Sequence, residues 1–252
     1  MYKNCYGICF TPETYQSYKD WWTHFQNNEN AFIILDNSKG QNIDYKSFQY
    51  TETDIRNNFN FTLDVSKGHY WNSFGNRNII WFYAYLRMIN FYLSHPNYDY
   101  YWFFDDDVYC NDWDGFLKGF ENDNTDFISY FLFKNYDVDS HSEVPRADNN
   151  MHSGPSWFNR FPGHQDMLPT GIEDYFGSFF AIVRYSNKAM QKLIELTKEG
   201  YSGYGEGFVP TCLGNMGFTM NTIFKNDNTS KYFDVNQIDI KHKNQKINWE
   251  WL

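Results

Sequence analysis

The sequence predicts an α/β fold: a three-layer α/β/α sandwich with a mixed central sheet, built as a single domain over residues 1–252. Three observations carry this. Short apolar runs with strand-forming side chains end in turn signals, and segments of helical periodicity lie between them, an order that favours helices packed on a sheet. Aromatic residues make up 22% of the chain and charged residues 21%, so apolar area suffices to offset the ordering entropy that keeps a disordered chain open.

The elements follow in order. Thr11-Pro12-Glu13 has the chemistry of a helix start, with Thr as N-cap, Pro where its missing N–H costs nothing, and an acid at the positive helix end. A helix is expected from there toward Gln26. Ala31 to Leu35 reads as a buried strand ending in the turn Asp36-Asn37-Ser38-Lys39-Gly40. Residues 41–70 carry little periodicity and predict short strands or helices joined by loops. From Ile79, Phe82, Leu86, Ile89 and Leu93 keep helical spacing among further aromatics, which predicts a helix buried on more than one side. His95-Pro96 ends it, because a residue before proline disfavours helical angles. Tyr100 to Phe104 is a run of strand-forming aromatics, Phe127 to Phe133 a further strand, and Ser178 to Val183 another. Ser186 caps a helix that turns Met190, Leu193 and Ile194 inward. Phe233, Val235, Ile238 and Ile240 suggest a last strand with an irregularity where the alternation slips. Residues 135–171, with Pro145, Gly154, Pro155, Pro162, Gly163 and Pro169, read as a long loop; Trp157, Phe158 and His164 suit a lid over a ligand.

Charge and cysteines narrow the function. A formal net charge of −10 argues against a nucleic-acid partner, which calls for a basic face, and raises the value of a divalent cation to any anionic substrate. Four cysteines without a paired framework read as reduced thiols, and Cys5 with Cys9 has no second pair to complete a metal site. No transmembrane segment is evident, since Ile79 to Leu93 falls short of about 20 residues and contains Arg87 and Asn90. The expected setting is cytoplasmic, with peripheral attachment to a membrane left open and the oligomeric state unknown. Asn60 and Asn228 match the glycosylation pattern by chance in an asparagine-rich chain.

The chemistry concentrates at Asp105-Asp106-Asp107, directly after the aromatic strand. Three adjacent carboxylates repel one another, and a hard divalent cation with oxygen ligands compensates that repulsion. In an extended segment Asp105 and Asp107 converge while Asp106 points away. The stretch Tyr101-Trp-Phe-Phe-Asp-Asp-Asp-Val-Tyr109 resembles the metal-binding DxD signature of GT-A glycosyltransferases, whose fold is a Rossmann-like sandwich. Gly75-Asn76-Arg77-Asn78 is similar to the segment that contacts the nucleotide in that superfamily, and Ile33 to Asp36 to its first nucleotide-binding strand. Gly177 to Ser186 and Gly203 to Thr211 resemble the acceptor-side half of inverting members. The likeness runs from about residue 31 to 243.

The resemblance implies a nucleoside-diphosphate sugar as donor, a UDP-sugar foremost, a glycan or glycoprotein acceptor, and Mn²⁺ or Mg²⁺ as cofactor. It places the nucleotide-sugar side in residues 1–134 and the acceptor side in 135–252. Asp105 and Asp107 would be metal ligands, joined by a histidine near the C-terminus that His242 matches. Asp36, Arg77, Asn78, Asp105 and Asp106 would contact the donor. Inverting displacement also needs a carboxylate within reach of the acceptor hydroxyl. Glu206, between two glycines, is the first choice, and Glu173-Asp174 the rival, with Asp174 named as the alternative base. A retaining transferase stays open, as does a carbohydrate-binding module with structural Ca²⁺. A two-metal phosphoryl hydrolase needs more converging ligands than the sequence offers.

Overall fold

The computed structural model describes residues 2–12, 14, 23–42, 46–59, 84–106, 108, 110, 112–135, 168–203 and 205–223. Seven strands appear among them: β1 (Asn4–Phe10), β2 (Ala31–Asp36), β3 (Ser47–Tyr50), β4 (Tyr100–Asp105), β5 (Phe127–Asn135), β6 (Tyr175–Ser186) and β7 (Met220–Thr222). The helices are α1 (Glu52–Asn58), α2 (Ala84–Ser94), α3 (Trp113–Lys118), α4 (Asn187–Lys198) and α5 (Gly205–Asn215).

The strands form one sheet in the order β3-β2-β1-β4-β6-β5-β7. β6 alone runs against its neighbours β4 and β5, and every other pairing is parallel. The sheet is therefore mixed, as predicted. Alternate strand residues feed two cores. Cys5, Cys9, Phe32, Ile34, Tyr101 and Phe103 face α1, α2, α4 and α5, while Ile8, Phe10, Ile33, Leu35, Trp102 and Phe104 face α3 and Phe25. That gives the three layers.

Several predicted elements stand where expected. Residues Ala31 to Leu35 and Tyr100 to Phe104 are buried strands, and α2 stops at Ser94, just before His95-Pro96. Ser186 accepts a hydrogen bond from the amide of Ala189 at 3.2 Å as the N-cap of α4, whose Met190 and Leu193 are buried. The expected strand around Phe233 to Ile240 and the helix start at Ile79 lie outside the described residues, as does most of the 135–171 loop. Of the helix expected from Thr11 toward Gln26, only residues 23–25 are described as helical.

β1 is the largest departure: it is central to the sheet, yet the first residues suggest no strand. Gly7 disguises it, because glycine weakens strands. A side chain there has no room, since a Cβ would stand 2.5 Å from Cδ1 of Ile34 and 3.0 Å from Cδ1 of Phe103 on the flanking strands. α5 is likewise absent from the predicted elements, since Gly205, Gly207 and Pro210 lower its helix propensity. α1 fills part of the uninformative 41–70 stretch, opened by a capping box between Thr51 and Asp54.

Candidate active site at the sheet edge

The parallel strands β1, β2, β3 and β4 end on one edge of the sheet, and from there the chain continues from β1 to β2 on one side and from β4 to β5 on the other. Such a switch point leaves a crevice beyond the strand ends. Asp36 closes β2, Tyr50 closes β3 and Asp105 closes β4, so the register alone gathers two acids at the crevice. β5 leaves the sheet at Asn135 and β6 enters at Tyr175, paired with each other on the same edge. The segment between them thus starts and ends on this edge of the sheet, seven residues along β6 beyond Ile182, the partner of Phe104.

Asp105 accepts a hydrogen bond from Nη2 of Arg87 at 2.5 Å; the Arg87 side chain is 9% exposed and that of Asp105 35%. Arg87 sits within the apolar run that builds α2, where the sequence shows it only as a charge spoiling a membrane helix. A buried guanidinium in such a run signals a carboxylate partner, and that signal was the one available. Cys9 and Tyr50 lie within electrostatic range of Arg87. Burial pushes the Cys9 thiol to about 12 despite Arg87, so it stays a neutral thiol.

β4 ends at Asp105, and the amide of Val108 donates to its carbonyl at 3.2 Å, closing a turn. Asp106 therefore lies in a turn rather than in an extended segment, and its carboxyl meets the side chain of Thr14. Burial pushes its carboxyl up to about 6 against that hydrogen bond, with the negative charge of Asp105 adding to the rise. Carboxylate oxygens of this kind suit a hard divalent cation, whose charge would relieve the repulsion. Among the described residues no group of three His, Cys, Asp or Glu is placed to hold a metal. Asp107 and His242, the other expected ligands, lie outside the described residues, as do Arg77 and Asn78.

Asp36 is 2% exposed, and its Oδ1 accepts from the amide of Ser38 at 3.0 Å and from the Ser38 hydroxyl at 2.5 Å. Those bonds orient the acid at the end of its strand.

Glu206 is no solvated turn residue: it lies in the first turn of α5, 8% exposed. β4 pairs with β6 only as far as Phe104 opposite Ile182, so the outer edge of β6 from Tyr175 to Phe180 has no strand beside it among the described residues. Side chains of α5 take that place. Glu206 Oε1 accepts from the amide of Phe180 at 2.9 Å, Thr211 bonds both the amide and the carbonyl of Phe176, and Asn215 bonds the amide and carbonyl of Asp174. Alternate residues of β6 face this edge, as a strand requires. The same contacts separate the two candidate bases. Asp174 is tied to the end of α5 and Glu206 to its start, roughly 13 Å apart at about 1.5 Å of rise per residue. The Glu206 carboxylate thus occupies the line of β4 just beyond its end, against Phe180, two residues along β6 from the partner of Phe104.

No protein-family model matches the chain, and no curated protein matches it. Among solved structures 26 chains match. One of them is the galactosyltransferase LgtC, crystallised with donor and acceptor sugar analogues: 10% identity, TM-score 0.38, covering 87% of this chain and 72% of that one. A likeness of that size assigns no residue and no activity. The sheet itself establishes the fold class, a mixed seven-stranded α/β sandwich of the Rossmann-like kind expected.

Proposed function

We propose that the protein is a glycosyltransferase that moves a sugar from a nucleoside-diphosphate sugar to a glycan hydroxyl with inversion. The observation that supports it best is the gathering of Asp36, Asp105 and Asp106 at the switch point, with Glu206 docked on β6 beyond the end of β4. Asp36, with Arg77 and Asn78, would receive the nucleoside. Asp105 and Asp107, with His242, would hold Mn²⁺ or Mg²⁺, which when bound supplies positive charge for the departing diphosphate. Arg87 holds the Asp105 carboxylate in one orientation and offsets its charge in the absence of metal. The acceptor hydroxyl attacks the anomeric carbon opposite the diphosphate, and Glu206 takes its proton. Residues up to 134 would form the donor side and the remainder the acceptor side, with the 135–171 loop over the acceptor.

The test is turnover of a panel of nucleoside-diphosphate sugars with Mn²⁺, read as nucleoside diphosphate released, followed by the anomeric configuration of the product. A β-linked product from an α-linked donor is expected, with Glu206→Gln lowering turnover by roughly 100- to 10,000-fold, the range of a general base. Retention of configuration would sink the assignment of Glu206. Absence of turnover together with stabilisation by Ca²⁺ alone would indicate a carbohydrate-binding module.

A further inference from the structure

We infer that Ser178 is a positioning residue for Glu206, acting through a hydrogen bond that Pro210 makes necessary; the inference rests on Glu206 as the base. In a regular helix the carbonyl of Glu206 accepts the N–H four residues on, and that residue is Pro210, which has none. Pro210 also crowds the carbonyl it faces and tilts it off the helix axis. The hydroxyl of Ser178, 3% exposed on the outer edge of β6, donates to this carbonyl at 3.0 Å.

Ser178 and Phe180 thus hold Glu206 at two points: the first through its main chain, the second through its carboxylate. Because both anchors lie on one strand edge, the register of β6 sets the orientation of the side chain. Gly205 keeps this docking close, since a Cβ there would stand 3.1 Å from Phe180 and 3.2 Å from Tyr85. Serine suits the position because its short side chain carries a hydroxyl to the carbonyl. Loss of the bond frees the first turn of α5 to shift, and a displacement of an ångström at a reacting group costs about 100-fold in rate.

The experiment compares Ser178→Ala, Ser178→Thr, Pro210→Ala and the Ser178→Ala/Pro210→Ala double variant with Glu206→Gln. It follows UDP release from UDP-glucose and UDP-galactose with Mn²⁺, or from whichever donor the panel turns over. Ser178→Ala is expected to lower kcat roughly 10- to 100-fold with donor KM within about twofold of wild type. Ser178→Thr, which keeps the hydroxyl, restores most of kcat. Pro210→Ala supplies the missing N–H, so it rescues the Ser178→Ala background in both kcat and urea midpoint, and the two changes are non-additive. Wild-type kcat in Ser178→Ala, or a loss that Pro210→Ala leaves untouched, overturns the inference. Glu206→Gln with wild-type turnover removes Glu206 as base and the catalytic half of the inference with it. In that event the urea cycle still decides the anchoring half, because it needs no turnover. If Ser178→Ala fails to fold, the double variant against Pro210→Ala carries the same comparison.

Discussion

Arg87 shows how one buried side chain organises the crevice. Its guanidinium lies among Cys9, Tyr50 and Asp105, where burial alone would favour losing the charge, and the Asp105 carboxylate that it bonds outweighs that effect and keeps it cationic. Arg87→Met removes the donor while keeping most of the volume, leaving Asp105 with a lost charge-assisted hydrogen bond. The expected cost is about 1–2 kcal/mol of unfolding free energy, at the low end for a charged pair because Asp105 is 35% exposed, read by urea denaturation. A change below a few tenths of a kcal/mol would mean the pair is not a structural tie. Asp107→Ala is expected to separate from it: metal-dependent transfer is abolished while the urea midpoint stays within error. A fully active Asp107→Ala enzyme would defeat the proposed metal role. The acids at this edge were readable because a strand-forming run delivers them directly. Arg87 and Thr14 were not, because their partners come from distant elements and only the folded sheet brings them together.

At the level of elements, strands with an uninterrupted apolar run were legible, and β1, interrupted by Gly7, was not. β1 contains Gly7 because Ile34 and Phe103 occupy the space of a side chain. Gly7→Ala is therefore expected to destabilise the protein by about 1–3 kcal/mol, the usual penalty of overpacking. Removing Cδ1 in Gly7→Ala/Ile34→Val should recover part of this, and full additivity in a thermal-unfolding cycle would show that the two sites do not touch. α5 evades recognition for a related reason: its glycines and Pro210 lower helix propensity, and it is held instead by packing Phe208, Val209 and Leu213 into the core and by its bonds to the edge of β6. Asp126 ties the reversed strand to its surroundings more firmly. One oxygen accepts from Ser186 at 3.0 Å and pairs with Lys188 at 2.9 Å, and the other accepts from the amide and hydroxyl of Thr219. Burial alone would raise its pKa, but Lys188, Thr219 and Ser186 outweigh burial and hold it below the usual aspartate value. A depressed folded-state pKa contributes stability above the unfolded value near 3.9, and that contribution fades as pH falls through the folded value. Asp126→Asn should cost about 2–4 kcal/mol at pH 7 and flatten the decline in stability below about pH 4. An unchanged acid limb in urea titrations from pH 3 to pH 7 would refute it.

For the whole molecule, the class of fold followed from the alternation of strands and helices, while the sheet order did not, since nothing local in β4, β5 or β6 states that β6 inserts between the other two in reverse. That insertion sets the polarity of the crevice, with acids at the ends of β2 and β4 and the carboxylate of Glu206 across from them. A chain with net charge −10 and such an edge repels a nucleoside diphosphate at long range, so binding should depend on the cation more steeply than in a neutral protein. Ligand that binds only the folded state stabilises it by RT ln(1 + [L]/Kd), about 2.7 kcal/mol at a hundredfold excess over Kd. In a chain of this length each kcal/mol shifts Tm by about 2–4 °C. UDP with Mn²⁺ at saturation is therefore expected to raise Tm by roughly 5–10 °C, and UDP with EDTA by less than about 1 °C. Asp107→Ala should reduce the first shift to the second. Equal shifts with and without metal would remove the cation from the site, and a shift with metal that UDP does not enlarge would remove the nucleotide.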